Sequence, residues 1–381
     1  MRNNRFFNLF LAACMALCCV TLFFGCGTGS PQTPSPVERT LIHEPEFGGI
    51  YITATIDDFN ALGFEYGDSV DVVFSNGYEA KDLPYYNGYY VQTGEPLLVA
   101  YPGYDYIKAC INNGADLWEV AGVSENDTAT VTLAERGKYL DIQQARDLSY
   151  RDEREEFPSD EVFANFRAIR VSGLKENIVY RSASPCDNQH CRASYTDALM
   201  QQAGVRYIIN LADNEEKIAG YLEREDFASP YFVTLYETGN VLPLAMNMNL
   251  TSDSFREKVV RGMTAIARND GPFLVHCTEG KDRTGFFCML LEAFAGADYD
   301  EIVRDYMITY ENYYGITQEK EPAKWAIIVK DVLDPMIAGM LGDSGADLRE
   351  ADLAAGAEAF LRSAGMTEED LTLLGERLKQ S

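Results

Sequence analysis

Ten adjacent residues concentrate more reactive chemistry than any other stretch of the chain: His276-Cys277-Thr278-Glu279-Gly280-Lys281-Asp282-Arg283-Thr284-Gly285. They stand between the apolar run Phe273-Leu274-Val275 and a longer apolar stretch that predicts a helix over residues 284–295, closed by Gly296. A thiol at a helix N-terminus faces unpaired backbone N–H groups and the positive end of the helix dipole, which favours the nucleophilic thiolate. The N–H groups from Thr278 through Arg283 would form a nest around three phosphoryl oxygens. Gly280 lets the backbone turn without a Cβ clash. Arg283, six positions after Cys277, can return to the loop and grip two oxygens with its planar fork. Thr284 can offer its hydroxyl to the departing thiolate in a second step. The segment therefore predicts nucleophile and oxyanion cradle together. Cys277, Arg283 and Thr284 are the catalytic candidates, and Thr278, Glu279, Gly280 and Lys281 line the bound group. His276 is expected to brace the loop through a backbone hydrogen bond.

This segment resembles the Cys-x5-Arg protein tyrosine phosphatase superfamily, and within it the bacterial tyrosine and lipid phosphatase family with a Lys-Asp pair inside the loop. The resemblance covers roughly residues 163–378. Tyr180-Arg181-Ser182-Ala183-Ser184 resembles the upstream Arg-Ser element, Ile209-Asn210-Leu211-Ala212-Asp213 the following strand, and Ala364-Gly365-Met366-Thr367 the entry to a C-terminal helix. It implies hydrolysis of phosphomonoesters through a cysteinyl-phosphate intermediate, with no metal or other cofactor. A Walker loop would need Gly at 275 and Ser or Thr at 282, where Val275 and Asp282 stand.

Such chemistry needs an acid to protonate the leaving oxygen. Asp282 is the first candidate, because the Lys-Asp relatives carry it inside the loop. Glu237 is the alternative, placed just after a strand predicted over residues 231–236; Asp213 and Asp253 come next. The first expectation is a tyrosine or dual-specificity protein phosphatase; Lys281 adds positive charge that would also suit a phosphoinositide or inositol polyphosphate, so a phosphatase of those is the alternative. The competing function is a phospho-ligand binding protein without turnover.

The elements that must hold this loop alternate. Residues 195–202 read as a helix and residues 205–211 as a strand. Phe255, Val259, Val260, Met263 and Ile266 mark one helical face, and Asp298 with Glu301 forms a capping pair for a further helix. Alternating strands and helices predict an α/β fold with a mostly parallel central sheet flanked by helices. Upstream the pattern is different. Gly49-Ile50-Tyr51-Ile52-Thr53, Ser69-Val70-Asp71-Val72-Val73-Phe74 and Thr128-Ala129-Thr130-Val131-Thr132-Leu133 read as strands, with Asn-Gly turns at 76–77, 87–88 and 113–114 and a short helix over residues 108–112. This small mostly-β domain resembles the C-terminal barrel of the adenosylmethionine hydroxide-adenosyltransferase group through Gly67-Asp68-Ser69-Val70-Asp71-Val72, Gly94-Glu95-Pro96-Leu97-Leu98 and Ile111-Asn112-Asn113-Gly114. The catalytic half of that group has no counterpart, so a spacer or recognition module is expected.

The chain has 381 residues, 46% apolar and 24% charged, values of a globular protein and not of a disordered one. Its 59 acidic residues against 32 basic ones exclude nucleic acid as a partner. Arg2 and Arg5 precede an uncharged apolar run over residues 6–24, which reads as a secretory signal over residues 1–25. Leu22-Phe23-Phe24-Gly25-Cys26 resembles a bacterial lipoprotein cleavage box with Cys26 as the lipidated residue. A signal anchor or plain secretion are the alternatives. All three place the protein outside the cytoplasm, and the first attaches it to the membrane. A tether over residues 26–40, the β-rich domain over 41–146, a charged connector over 147–162 and the phosphatase domain over 163–381 complete the expected order. Cys186 and Cys191 are close enough in sequence for one disulfide.

Overall fold

The computed structural model describes residues 33–250 and 252–380. The signal segment, Cys26 and the tether as far as residue 32 lie outside the described residues.

Seven strands form a closed barrel: β1 (Val37–His43), β2 (Ile50–Ile52), β3 (Ser69–Phe74), β4 (Glu79–Tyr86), β5 (Pro96–Val99), β6 (Ile107–Ile111) and β7 (Thr128–Glu135). Their order around the barrel is β1-β2-β6-β5-β4-β3-β7, with β7 returning to β1. Only the β4–β5 pair is parallel. Closure removes free sheet edges. Val70, Val72 and Phe74 alternate inward from β3 and meet Ile52, Leu98, Ile107 and Val131 in one core.

Two expectations are corrected here. β1 begins at Val37, so the last four residues assigned to the tether are part of the barrel wall. Residues 108–112 are not a helix. Lys108 lies in a central strand between β2 and β5, where the carboxylate of Glu44 pairs with its buried ammonium. Ile107 and Ala109 face the barrel core, so Lys108 is buried on the opposite face of the strand, and an ion-paired lysine there leaves no trace in hydrophobic periodicity.

The second sheet contains β8 (Arg167–Ala168), β9 (Val179–Ser182), β10 (Tyr207–Asn210), β11 (Val241–Pro243) and β12 (Phe273–His276), in the order β11-β10-β12-β9-β8. β9, β10, β11 and β12 run parallel, and β8 lies antiparallel at the edge. Side chains alternate across it: Ile208 and Leu274 join the cluster under helices Ala193–Gln202 and Pro230–Glu237, whereas Ile209 and Val275 join the larger core on the other face. That core is built on helix Asp282–Ala295, in which every residue from Thr284 onward is buried. Phe255, Val259, Met263 and Ile266 of helix Asp253–Arg268 pack against the same core. Helix Tyr299–Tyr314 opens with the reciprocal Asp298–Glu301 capping box.

Residues 231–236 form a helix, not the expected strand. Their aromatic and β-branched content favours a strand, but the tertiary setting overrides it. Pro230 occupies the first turn, and the buried carboxylate of Asp197 accepts from the N–H groups of Tyr231 (3.1 Å) and Phe232 (2.7 Å). Phe232 and Leu235 then share the buried face.

Register fixes where the sheet can do chemistry. Ser182, Asn210 and His276 are aligned across β9, β10 and β12, so the chain leaves all three strands at one edge. Cys277, Ala183 and Leu211 are the first residues beyond it. Open α/β sheets place their ligands at this carboxyl edge.

Candidate active site

The loop after β12 is tied down one carbonyl at a time. His276 donates from Nδ1 to the carbonyl of Cys277 (3.1 Å), and the N–H of Ser184 donates to that of Thr278 (3.0 Å). Asn165 Nδ2 donates to the carbonyl of Glu279 (3.3 Å), and Arg181 Nη2 to that of Gly280 (3.0 Å). In a trans peptide the N–H points opposite to the C=O. Each tie therefore turns the next N–H, from Thr278 to Lys281, away from the anchoring residues. Among the described residues these four N–H groups donate to no protein acceptor.

Gly280 is needed for this path. Its φ is +71°, and a Cβ there would lie 2.2 Å from the carbonyl oxygen of Ser182. Cys277 is buried at the base of the loop, and Arg283 folds back so that Nη2 reaches Thr278 Oγ1 at 3.3 Å. The Thr284 hydroxyl is buried and has no hydrogen-bond partner among the described residues. His276 is fully buried, and burial drives its imidazole down to about 4, so it is neutral. Its Nδ1 carries the proton, because a carbonyl can only accept.

The anchors are held from behind. Arg181 is buried, and its Nη1 donates to Asp305 Oδ2 at 2.6 Å. Arg167 Nε donates to Asp305 Oδ1 at 2.9 Å, and its Nη1 donates to Asn165 at 2.8 Å. Burial alone would raise the Asp305 carboxyl, but the two guanidinium groups outweigh it and hold it well below the usual range. Glu292, deeper in the same cluster, is pushed up by burial and by Asp305, so it carries a proton.

Lys281 does not stand free in the pocket. Its ammonium lies 2.8 Å from Glu279 Oε2 and donates to the Tyr314 hydroxyl at 3.2 Å. Burial would lower it, but Asp282 and Glu279 raise it well above the ordinary lysine range. Glu279 in turn accepts from the Tyr150 hydroxyl at 2.7 Å. Burial opposes its charge, and Lys281 prevails, leaving it below the usual carboxylate range. Asp282 keeps nearly half of its side-chain surface exposed at the start of the helix, 4.0 Å from Lys281.

Glu237 is not brought to this loop. It ends helix Pro230–Glu237 and precedes the N-terminal end of β11, on the sheet edge opposite Cys277. Its candidacy depended on a strand over residues 231–236, which is absent. Asp213 does follow β10 at the correct edge, but it is buried and held by Asn210 Nδ2 (3.1 Å) and the Tyr221 hydroxyl (3.2 Å). Asp253 is the exposed first residue of its helix. Cys186 and Cys191 are both free thiols.

Several contributors carried no motif. Asn165 meets the loop only through the tertiary fold, and Arg167 and Asp305 brace it from behind through Asn165 and Arg181. Tyr150 belongs to the charged connector, which also supplies Asp152 to His190 (3.2 Å) and to Arg192 (2.5 Å). The connector is thus a wall of the site. Beside Lys281 and Asp282 opens a cleft of about 320 Å³ that is also lined by the barrel residues Tyr89, Tyr90 and Tyr101.

Residues 139–380 match the Tyrosine phosphatase family. The chain belongs to that family. The match begins inside the region expected to be part of the β-rich domain and takes in helix Leu140–Arg146 and the connector. A tyrosine-protein phosphatase of Nostoc commune is 31% identical over 199 residues, covering 47% of this chain and 67% of that protein. Among solved structures, P. aeruginosa TpbA in complex with pTyr shares 18% identity over 51% of this chain and 94% of that one, with a TM-score of 0.27. The core catalytic domain of the PP-IP phosphatase SIW14 of S. cerevisiae shares 19% identity over 38% and 75%, with a TM-score of 0.26. An uncharacterized Thermotoga maritima protein shares 24% identity over 26% of this chain, which spans 36% of that protein, with a TM-score of 0.22.

Proposed function

We propose that this tyrosine phosphatase family member hydrolyses phosphomonoesters by way of a phosphoryl group carried on Cys277. One observation carries the reading: one loop that begins at a buried cysteine holds four backbone N–H groups, Thr278 to Lys281, with no acceptor among the described residues, and the Arg283 guanidinium folds back onto it. Preorganised donors of this kind stabilise charge that develops on equatorial phosphoryl oxygens.

In the first step the Cys277 sulfur forms a bond to phosphorus as the ester P–O bond breaks, and Asp282 gives its proton to the leaving oxygen. Water then attacks phosphorus, the S–P bond breaks, and orthophosphate departs while Asp282 recovers a proton from that water. The Thr284 hydroxyl, with no partner among the described residues, donates to the departing sulfur. His276, neutral and committed to the Cys277 carbonyl, holds the loop and takes no proton.

Phosphotyrosine in a protein is the favoured substrate, since the Nostoc commune relative is named a tyrosine-protein phosphatase. Lys281 is consumed by Glu279, Asp282 and Tyr314, which weakens the case for a polyphosphorylated inositol. The residues before the barrel support a lipid-anchored, extracytoplasmic protein with Cys26 as the acylated residue; Cys26→Ser should then abolish fatty-acid labelling, and retained labelling would exclude that anchor.

Mass spectrometry of the acid-quenched enzyme during turnover tests the route. A phosphoryl group on Cys277 is expected; turnover without any such adduct would contradict it.

A further inference from the structure

The barrel reaches the active site, and it does so with tyrosines. Gly88 is the pivot: a Cβ there would lie 2.5 Å from the Tyr90 ring, so only glycine lets that ring fold back over the turn. Tyr89 is oriented by a 2.8 Å hydrogen bond between its hydroxyl and that of Tyr104. Tyr101 packs 5.9 Å from Tyr89 and 5.5 Å from Tyr104, centroid to centroid, and is 46% exposed. The connection from β4 to β5, which carries Tyr89 and Tyr90, is fastened to the phosphatase half, where Gln92 Nε2 donates to the carbonyl of Asp331 at 2.8 Å.

The phosphatase half lines the same cleft with Tyr150, Tyr310 and Tyr314, together with Lys281, which lies over the Tyr150 and Tyr314 rings, and Asp282. The charge at the cleft is balanced. Arg146 lies over the Tyr90 ring and beside Asp147, and Lys281 is paired with Glu279 and Asp282. Such a space offers flat apolar faces to a ligand and no surplus of positive charge, which suits an uncharged ring better than a polyanion. Tyr101 from the barrel and Tyr150 from the connector are exposed rings that line the same cleft.

We infer that the barrel is the recognition half of the active site: Tyr89, Tyr90 and Tyr101 hold the aromatic ring and adjoining peptide of the substrate beside Asp282, and make the enzyme selective for aryl over alkyl phosphomonoesters. The inference rests on the proposed reaction, because the group whose oxygen Asp282 protonates must lie next to Asp282, and this cleft is the space there. The accessory domain is then neither a spacer nor an independent module. It supplies the specificity surface that a bare phosphatase domain lacks.

The test compares kcat/KM for a phosphotyrosine peptide and a phosphoserine peptide of otherwise identical sequence, using the full chain. Tyr101→Ala should reduce the tyrosine-over-serine preference about tenfold, chiefly through KM for the phosphotyrosine peptide, and Tyr101→Phe should retain it. An unchanged ratio in both Tyr101→Ala and the Tyr89→Ala/Tyr101→Ala double variant would overturn the inference while leaving the reaction intact. If the wild-type chain hydrolysed neither peptide, the proposed reaction would fail, and binding would still decide the cleft's role. In a Cys277→Ser background, which requires no turnover, Tyr101→Ala should weaken phosphotyrosine-peptide binding about tenfold, and equal affinity would overturn the inference.

Discussion

Arg181 joins two parts of the molecule that are far apart in sequence: its guanidinium donates to the Gly280 carbonyl at 3.0 Å and to Asp305 at 2.6 Å. Gly280 sits at the crest of the loop after β12, and Asp305 lies in helix Tyr299–Tyr314. The loop is thereby referred to the helical core through one buried side chain. Its amides are held ready before any anion arrives, which is the condition for electrostatic catalysis without reorganisation.

Removing this brace should be costly. Arg181→Met leaves Asp305 with one guanidinium instead of two in a buried site, and breaking such a pair typically costs about 3–5 kcal/mol. Arg181→Lys restores the charge but cannot reach Asp305 and Gly280 with a planar fork. The lysine variant should recover most of the stability by urea denaturation yet keep a kcat reduced by about tenfold or more. Full recovery of kcat by lysine would show that Arg181 acts on stability alone.

Asp282 and Glu237 are separated by a direct comparison. Asp282→Asn should lower kcat by about 10²–10⁴ for a phosphotyrosine peptide and far less for an ester whose leaving group needs no proton. Glu237→Gln should match the wild type, because that carboxylate lies on the opposite edge of the sheet. A large loss with Glu237→Gln would mean that the edge assignment is wrong.

The reactive loop was legible in the sequence because its parts are contiguous: Cys277, Gly280, Asp282, Arg283 and the helix they open fall within ten residues. Strands β3, β7 and β12 and the Asp298–Glu301 cap were legible for the same reason, each being set by neighbours along the chain. What stayed hidden depends on partners distant in sequence. Asp197 stabilises a helix over a strand-like run more than thirty residues later, Glu44 lets Lys108 enter a barrel strand, and Asn165 and Arg181 fix carbonyls more than ninety residues away. The role of the barrel tyrosines was hidden too, since nothing local separates a ring in a cleft wall from one in a core.

His276 makes stability depend on pH in a defined window. Its folded value of about 4 lies below the ordinary 6.5, so the unfolded chain takes up the proton first as the solution is acidified. The contribution is fully present above pH 6.5 and is lost as pH falls towards 4, on the order of 3 kcal/mol over that span. Glu292, raised in the folded state, acts with the opposite sign. The difference between wild type and His276→Asn therefore isolates the histidine. Urea midpoints at pH 7.5 and pH 4.5 should converge for the two proteins at the lower pH, and parallel pH dependences would show that burial of this ring is not linked to protonation.

The most direct test is orthophosphate release from a phosphotyrosine peptide by the full-length protein in detergent, measured beside Cys277→Ser with chelator present in both. The wild type should release phosphate, and the serine variant should release none above background while still binding the peptide. Equal release by the two proteins would contradict a phosphoryl group carried on Cys277.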